Sequence, residues 1–484
     1  MKRQISALLI LTALLTSCGS AGNVSDTTDN GGSATTPEET SAPDRLDELG
    51  EHDFGGKKYT ILDANDHPDW HVNIHGDTLT GDIVNDALYE RDIAIEDRYK
   101  VEIEYIQMSN AKKGTDSLKK GVLAGDDEYT MCISTIQGGT LGTIVADGVL
   151  ANLCDNDYLS LDSGWWSKLF YKNLKLGDKL YFTTGDISPT MYQIAQCLYL
   201  NTRLAEDYKI DTDEICELVR GGKWTLDELI LRTKGLNQDL NDDGVMDPYD
   251  DFFGLAINCN STNNDLLYFV IDAGVSPSKL TADGKSIEID LMNDRTLTVL
   301  DKVKNLAFDN NRFDDQWVYI NKAFKEGRAL FMYHYTESAQ NFLRDMTDDY
   351  MVLPMPKCDA DQDDYHTYVN CWADAFVAIP ATADPEFAGV ITEALAYYSW
   401  KNIRSKAYDL TYKQKTSRDE NSAEMLDIVF NTLCVDFNYI YDFGGTYSSL
   451  ADVASGKAQL ASAMAANGEK AKTEIEKFVE SWLG

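Results

Sequence analysis

Residues 239 to 250 run Asp-Leu-Asn-Asp-Asp-Gly-Val-Met-Asp-Pro-Tyr-Asp, setting side-chain oxygens at the first, third, fifth, ninth and twelfth positions and glycine at the sixth. Calcium takes six to eight hard oxygen ligands, and this spacing can wrap them around one ion. Asp239, Asn241 and Asp243 would contribute from one side, with the Val245 carbonyl at the seventh position and Asp247 at the ninth. Asp250 would close the site, Gly244 would make the turn and Asp251 could add a ligand. The closing residue is Asp rather than the bidentate Glu of signalling loops, so a structural Ca2+ is expected. The plain alternative is a solvated acidic turn. A second metal pattern is weaker: His67, His71 and His75 recur every fourth residue, which would align three imidazoles on a helix. Pro68 and Asp69-Trp70 argue instead for a polar loop.

The elements that would position these groups alternate in type. Lys57 to Leu62 predicts a strand, Asp82 to Tyr99 a helix with Val84, Leu88, Ile95 and Tyr99 on its apolar stripe, and Val101 to Ile106 a second strand. Asp116 to Leu123 predicts a short helix and Tyr129 to Ile133 a third strand. Strands separated by helices imply an α/β fold whose mostly parallel sheet binds ligands beyond the carboxyl ends of its strands. Later, Cys197 to Leu200 predicts a buried strand, and Thr225-Leu-Asp-Glu228 a capping box. Asn321 is expected to cap a short helix ending at Gly327, before a strand from Ala329 to Met332. Pro385 is placed in the first turn of a helix, and amphipathic stretches follow at 422–433, 448–464 and 469–482.

The ends and the composition narrow the class. Met1-Lys2-Arg3, an apolar run from Ile5 to Leu15, then Thr16-Ser17-Cys18-Gly19 form a bacterial lipoprotein signal: residues 1–17 would be removed and Cys18 would carry lipid. Residues 18–52 are rich in Ser, Thr, Gly, Asp and Pro, and are expected to be a disordered tether to the membrane surface. The remaining length suggests two lobes. Eighty acidic against 43 basic side chains give a net charge of −37, which argues against a nucleic-acid partner. The eight cysteines after Cys18 form no C-x-x-C pair, and buried free thiols are expected.

Four phrases carry a resemblance. Asn85-Asp-Ala-Leu-Tyr-Glu-Arg91 with Ile95-Glu-Asp-Arg-Tyr99-Lys-Val101, Lys223-Trp224-Thr225-Leu-Asp-Glu-Leu229, Ala323-Phe324-Lys-Glu-Gly327-Arg-Ala-Leu-Phe-Met332, and Asn370-Cys-Trp372-Ala-Asp-Ala-Phe-Val-Ala-Ile379 occur in an order and spacing that resemble the family 1 extracellular solute-binding proteins, the group containing the maltose-binding type. That resemblance implies a two-lobe, type II periplasmic-binding-protein-like fold with a hinge and an interlobe cleft. Residues 53–187 and 332–380 would form one lobe, and 188–331 with 381–484 the other. Crossings are expected near Asp186, Met332 and Pro380. It further implies a monomeric, membrane-anchored, extracytoplasmic protein that captures a small solute, with a carbohydrate the leading candidate, and delivers it to an ABC permease without catalysis. The cleft positions that fit are Trp70, Gln137, Asp186, Tyr192, Gln193, Tyr335, Trp372 and Asp374, whose rings would stack on sugar C–H faces and whose carboxylates and amides would meet hydroxyls. Trp224 and the Trp165-Trp166 pair are assigned to packing.

Two rivals remain on sequence alone. A secreted glycoside hydrolase would also be acidic and aromatic-rich, and its two carboxylates need not be close in sequence. A calcium-dependent carbohydrate adhesion module would be expected to show a second, tandem loop, and only one is present.

Overall fold

A computed structural model of the chain describes residues 44–64, 74–136, 140–259, 265–310, 312–313, 317–371, 373, 375–407 and 420–484. Its strands, in chain order, are β1 (Lys57–Ala64), β2 (Val101–Met108), β3 (Met131–Ser134), β4 (Gln196–Asn201), β5 (Phe253–Asn258), β6 (Lys279–Leu280), β7 (Ile287–Glu288), β8 (Arg312–Phe313), β9 (Ala329–Tyr335), β10 (Tyr350–Leu353), β11 (Thr367–Tyr368), β12 (Phe376–Ala378) and β13 (Leu433–Cys434). Two principal sheets result, ordered β12-β3-β1-β2 and β10-β4-β9-β5-β8.

In the first sheet β1 lies parallel to both β2 and β3, and β12 runs antiparallel to β3. Beyond its two leading lysines β1 is buried on both faces, as a central parallel strand must be when helices cover both sides. Helix Ile83–Tyr99 starts where the Asp82 carboxylate accepts from the Val84 and Asn85 amides, a cap that supplies partners for two otherwise orphaned donors. Its inner face buries Val84, Leu88, Ile95 and Tyr99 at helical spacing, each large apolar side chain contributing about 1.5–3 kcal/mol. In the second sheet β4 runs antiparallel to β9 and β10, whereas β5 lies parallel to β9 and β8.

The sheet memberships revise the expected lobe limits. β9 pairs along its length with β4 and β5, so the chain does not change sheet near Met332. It returns to the first sheet between β10 and β12. Helix Pro385–Asn402, expected in the second lobe, instead covers the first sheet: Tyr59 Oη and Thr392 Oγ1 lie 2.6 Å apart, and Phe387, Val390 and Ile391 join Tyr59 and Ile61 in one apolar cluster. The expected tether also ends sooner than residue 52. Helix Arg45–Glu48 is anchored by an ion pair from Arg45 to the fully buried Glu393 at 3.0 Å, and Leu49 is buried.

Smaller revisions have local causes. Helix Leu226–Thr233 follows Thr225, but the Thr225 side chain makes no capping hydrogen bond; its backbone is bridged to Lys357 instead. Asn321 lies inside helix Trp317–Lys325 rather than at its start. The stretch 448–464 is broken, one helix ending at Ala454 and the next running Leu460–Leu483. That last helix passes Gly444, where a Cβ would stand 2.5 Å from the Ala471 nitrogen, so only glycine fits. All eight cysteines after Cys18 are free and all but Cys154 are buried, as expected. Trp224 is fully buried, its indole N–H donating to the Pro354 carbonyl at 3.0 Å.

Candidate functional site

Parallel strands end on one edge, and that edge places the polar groups. Ala64 and Ser134 are register partners at the ends of β1 and β3, and Ser134 Oγ donates to the Ala64 carbonyl at 2.9 Å. In the second sheet the parallel pair β5 and β9 ends at Asn258 and Tyr335. A chain of contacts joins the two edges. The Ile136 amide donates to the Cys371 carbonyl, the Cys371 amide donates to Tyr439 Oη at 3.1 Å, and Tyr439 Oη lies 2.9 Å from Tyr268 Oη. Tyr268 belongs to helix Asp265–Asp272.

Two carboxyls stand on this edge without a cation. Asp265 accepts from Asn258 Nδ2 at 2.9 Å, and Glu337 from Asn341 Nδ2 at 3.3 Å. Neither forms an ion pair among the described residues, and both are half-buried. Desolvation pushes each up to about 7, opposed at Asp265 only by the Asn258 amide. Tyr335, also half-buried, is raised by burial and then by Tyr268 and Asp265, against a hydrogen bond from Gln196. Its neighbour segment is fixed from below: the Glu337 amide donates to the Gln193 carbonyl at 3.0 Å, and Thr336 Oγ1 donates to the Tyr192 carbonyl at 2.6 Å. Tyr447 is 4 % exposed and its hydroxyl has no hydrogen-bond partner among the described residues; it lies in electrostatic reach of Tyr268 and Tyr335.

A separate cavity of about 600 Å³ opens beside the end of helix Pro385–Asn402, lined by Trp166, Asp186, Tyr192, Trp400, Arg404 and Phe430 among others. Here the charge is matched. Arg404 Nη1 lies 3.5 Å from Asp186, its Nη2 donates to Asn431 Oδ1 at 2.6 Å, and Tyr192 Oη donates to Asp186. Burial still pushes Asp186 up to about 6, against the pull of Arg404 and Tyr192.

The expected cleft residues therefore divide. Gln193 and Tyr335 sit at the carboxyl edge, whereas Asp186 and Tyr192 turn their side chains into the Arg404 cavity. Trp70, Gln137, Trp372 and Asp374 lie outside the described residues, as do His67, His71 and Cys18. His75 is described: its ring stacks on Tyr105 at 4.1 Å and its Nε2 lies 3.4 Å from Asp77. Sequence reasoning passed over Asn258, Asp265, Tyr268, Glu337 and Tyr447. The available signal was a polar residue at or just past the end of a mostly buried strand, as at Asn258 and Thr336-Glu337.

The acidic loop folds around its own oxygens. Asp242 and Gly244 take positive φ (59° and 80°), and Asp239 accepts from the Gly244 amide at 2.7 Å. Asp251, fully buried, accepts from the Leu240 and Asp247 amides at 2.9 and 2.8 Å. Carboxylate oxygens of Asp247, Asp250 and Asp251 all lie within 4.8 Å of one another. Asp250 is raised despite the Asn241 amide, by desolvation and the neighbouring Asp247 and Asp251. Asp239 Oδ1 is buried with no partner. Three converging carboxylates fit a hard cation, although the expected ligands Asp239 and Asp243 are not in that group.

No family model and no curated protein matches the chain. Among solved structures it is similar to a cyclo/maltodextrin-binding protein complexed with maltotetraose, with a TM-score of 0.53 and 15 % identity over 87 % of this chain and 97 % of that one. A Thermotoga lettingae ABC transporter solute-binding protein bound with α-D-tagatose gives 0.49 and 15 % identity over 86 % and 99 %. The galacto-N-biose-/lacto-N-biose I-binding protein of Bifidobacterium longum gives 0.49 and 10 % identity over 88 % and 99 %. The chain has the two-lobe α/β fold of the type II periplasmic binding proteins, with a hinge and an interlobe cleft. Within that class, its fold is similar to that of the cyclo/maltodextrin-binding protein.

Proposed function

We propose that the protein captures a hydroxylated small solute, a sugar or oligosaccharide, in the cleft between the carboxyl edges of its two sheets, and presents the closed form to an ABC permease. The observation that carries this is the set of half-buried Asp265, Tyr335 and Glu337 with buried Tyr268 at the ends of parallel strands, where this fold class binds ligands. A solute touching both lobes favours closure by its differential affinity for the two states. Trp70, Gln137, Trp372 and Asp374, together with Gln193, complete the proposed contact set. The chain acts as a monomeric binder without turnover. Cys18 is the lipidation site, and residues 18–43 tether the body to the outer membrane-facing surface of the cell membrane.

A thermal-shift screen over neutral, amino and acidic mono- and oligosaccharides tests this, because a ligand of the native state raises the melting temperature. A shift without cleavage products supports capture, and accumulating products would transfer the protein to the glycoside hydrolases. Radiolabelled palmitate should enter the wild type and not Cys18→Ser. The loop from Asp239 to Asp251 holds one structural Ca2+, with Asp239, Asn241, Asp243, the Val245 carbonyl, Asp247 and Asp250 as ligands. Asp251 orients the loop through its two amide partners.

A further inference from the structure

The cavity beside Arg404 shares no lining residue with Asp265, Tyr268, Tyr335 and Glu337 at the strand-end cleft. Its volume of about 600 Å³ falls within the roughly 300–1,000 Å³ of small-molecule sites, so it has room for a ligand of its own. Its walls are aromatic. Trp166, Tyr192 and Phe430 are buried, and the Tyr192 and Phe430 rings meet edge to face at 5.2 Å. Trp400 is 38 % exposed and is braced by Trp165 and Tyr397, whose ring centroids lie 5.9 and 5.7 Å away. A braced, partly exposed indole offers a flat apolar surface that loses little freedom when a ligand arrives.

The charges of this cavity are closed on themselves. Among its described lining residues, Lys168 and Arg404 balance Asp186 and Asp427. Asp186 and Arg404 are 6 % and 8 % exposed and lie 3.5 Å apart. Arg404 Nη2 also donates to Asn431 Oδ1 at 2.6 Å and lies 3.8 Å from Asp427. An anionic ligand would meet two carboxylates, and a cationic one would compete with Arg404 for its own partners. Either disturbs a buried pair, at a cost that works against binding. A neutral ligand leaves the pair intact. At the rim, Ser405 and Asp427 are exposed and can meet hydroxyl groups. A neutral ring with an apolar face and hydroxyls around its edge, the chemistry of a sugar, matches both the walls and the rim.

We propose that this cavity is a second binding site, separate from the cleft, that takes a neutral mono- or disaccharide stacked on Trp400, with its hydroxyls at Asp427 and Ser405. The Asp186–Arg404 pair is the frame of this site and keeps its charge balanced.

The test is calorimetric titration of the full chain with maltose, cellobiose, lactose, galacturonate, glucosamine and indole, each to millimolar concentration. At least one neutral disaccharide should bind, and Trp400→Ala should weaken that event about tenfold, as expected for loss of an aromatic face. Ser405→Trp, which fills the rim, should weaken the same event, and it decides the point should Trp400→Ala misfold. Two binding events of which the variants remove one support this site and the cleft together. A saccharide event untouched by both variants overturns the second site and leaves capture in the cleft standing. Tighter binding of galacturonate, glucosamine or indole than of every neutral disaccharide overturns the sugar assignment. Silence from the whole set overturns the second site alone, since the wider thermal-shift screen decides the cleft.

Discussion

Two carboxylate environments in this molecule differ by one guanidinium. At the end of helix Pro385–Asn402, Asp186 is buried but meets Arg404 at 3.5 Å and the Tyr192 hydroxyl, so the network satisfies itself. At the carboxyl edge of β5 and β9, Asp265 and Glu337 meet only amides. A paired acid is a structural part, because its partner is already in place. An unpaired acid at a strand end leaves part of its interaction energy for something that arrives later. The difference separates hinge architecture from recognition without appeal to which residue type is present.

The largest way to break this contrast is Arg404→Gln. It strands the buried Asp186 and should cost about 3 kcal/mol in urea unfolding, the usual penalty for removing one partner of a buried pair. Asp265→Asn should stay within about 1 kcal/mol of wild type or stabilise it, since it removes an uncompensated charge. Equal losses from the two substitutions would erase the distinction.

The next effect is on calcium. Saturating Ca2+ should raise the melting temperature over EDTA by several degrees, corresponding to about 2.7 kcal/mol at a hundredfold excess over Kd. Asp250→Asn should remove most of that rise, and superimposable curves with Ca2+ and EDTA would eliminate the site.

A smaller effect is on pH. Asp186 at about 6 and Asp265 and Glu337 at about 7 bind protons more tightly folded than unfolded. Their contribution is complete below about pH 4 and is lost as pH rises through 6 to 7, with a slope of at most roughly 1.4 kcal/mol per pH unit for each group and less for the half-buried Asp265 and Glu337. The double variant Asp265→Asn with Glu337→Gln should flatten the upper part of that slope in melting curves between pH 5 and 8. An unchanged slope would show that these two acids are not raised.

The smallest effect belongs to Tyr447→Phe. Loss of a hydroxyl with no partner should change stability by less than about 0.5 kcal/mol, and any larger drop would mean the group is satisfied in the free protein.

Alternation of strand and helix from Lys57 to Ser134 was legible because each element has its own hydrophobic period and its own cap, as at Asp82. The lobe limits were less so. β9 is a mostly buried run that fits either sheet, and only its pairing with β4 and β5 assigns it. The 385–402 helix is buried along most of its length, so its composition announces burial but not which sheet it covers. The acidic loop was legible as a candidate calcium site because its oxygens lie close together in the chain, in residues 239 to 250. Asp265 and Glu337 were not, because 72 positions separate them and their shared feature is what they lack: a cation. Such a deficit shows only once topology says which segments meet. Asp186 and Tyr192 were expected in the cleft and instead line the cavity beside helix Pro385–Asn402, because chain order alone cannot tell the strand-end cleft from that flank.

The buried thiols have a use of their own. Cys132 lies in the first sheet, Cys197 in the second and Cys259 at the end of β5, all shielded from solvent. Each therefore stays silent toward an alkylating reagent until its own region opens, and the order in which they are labelled would time the unfolding of one lobe against the other.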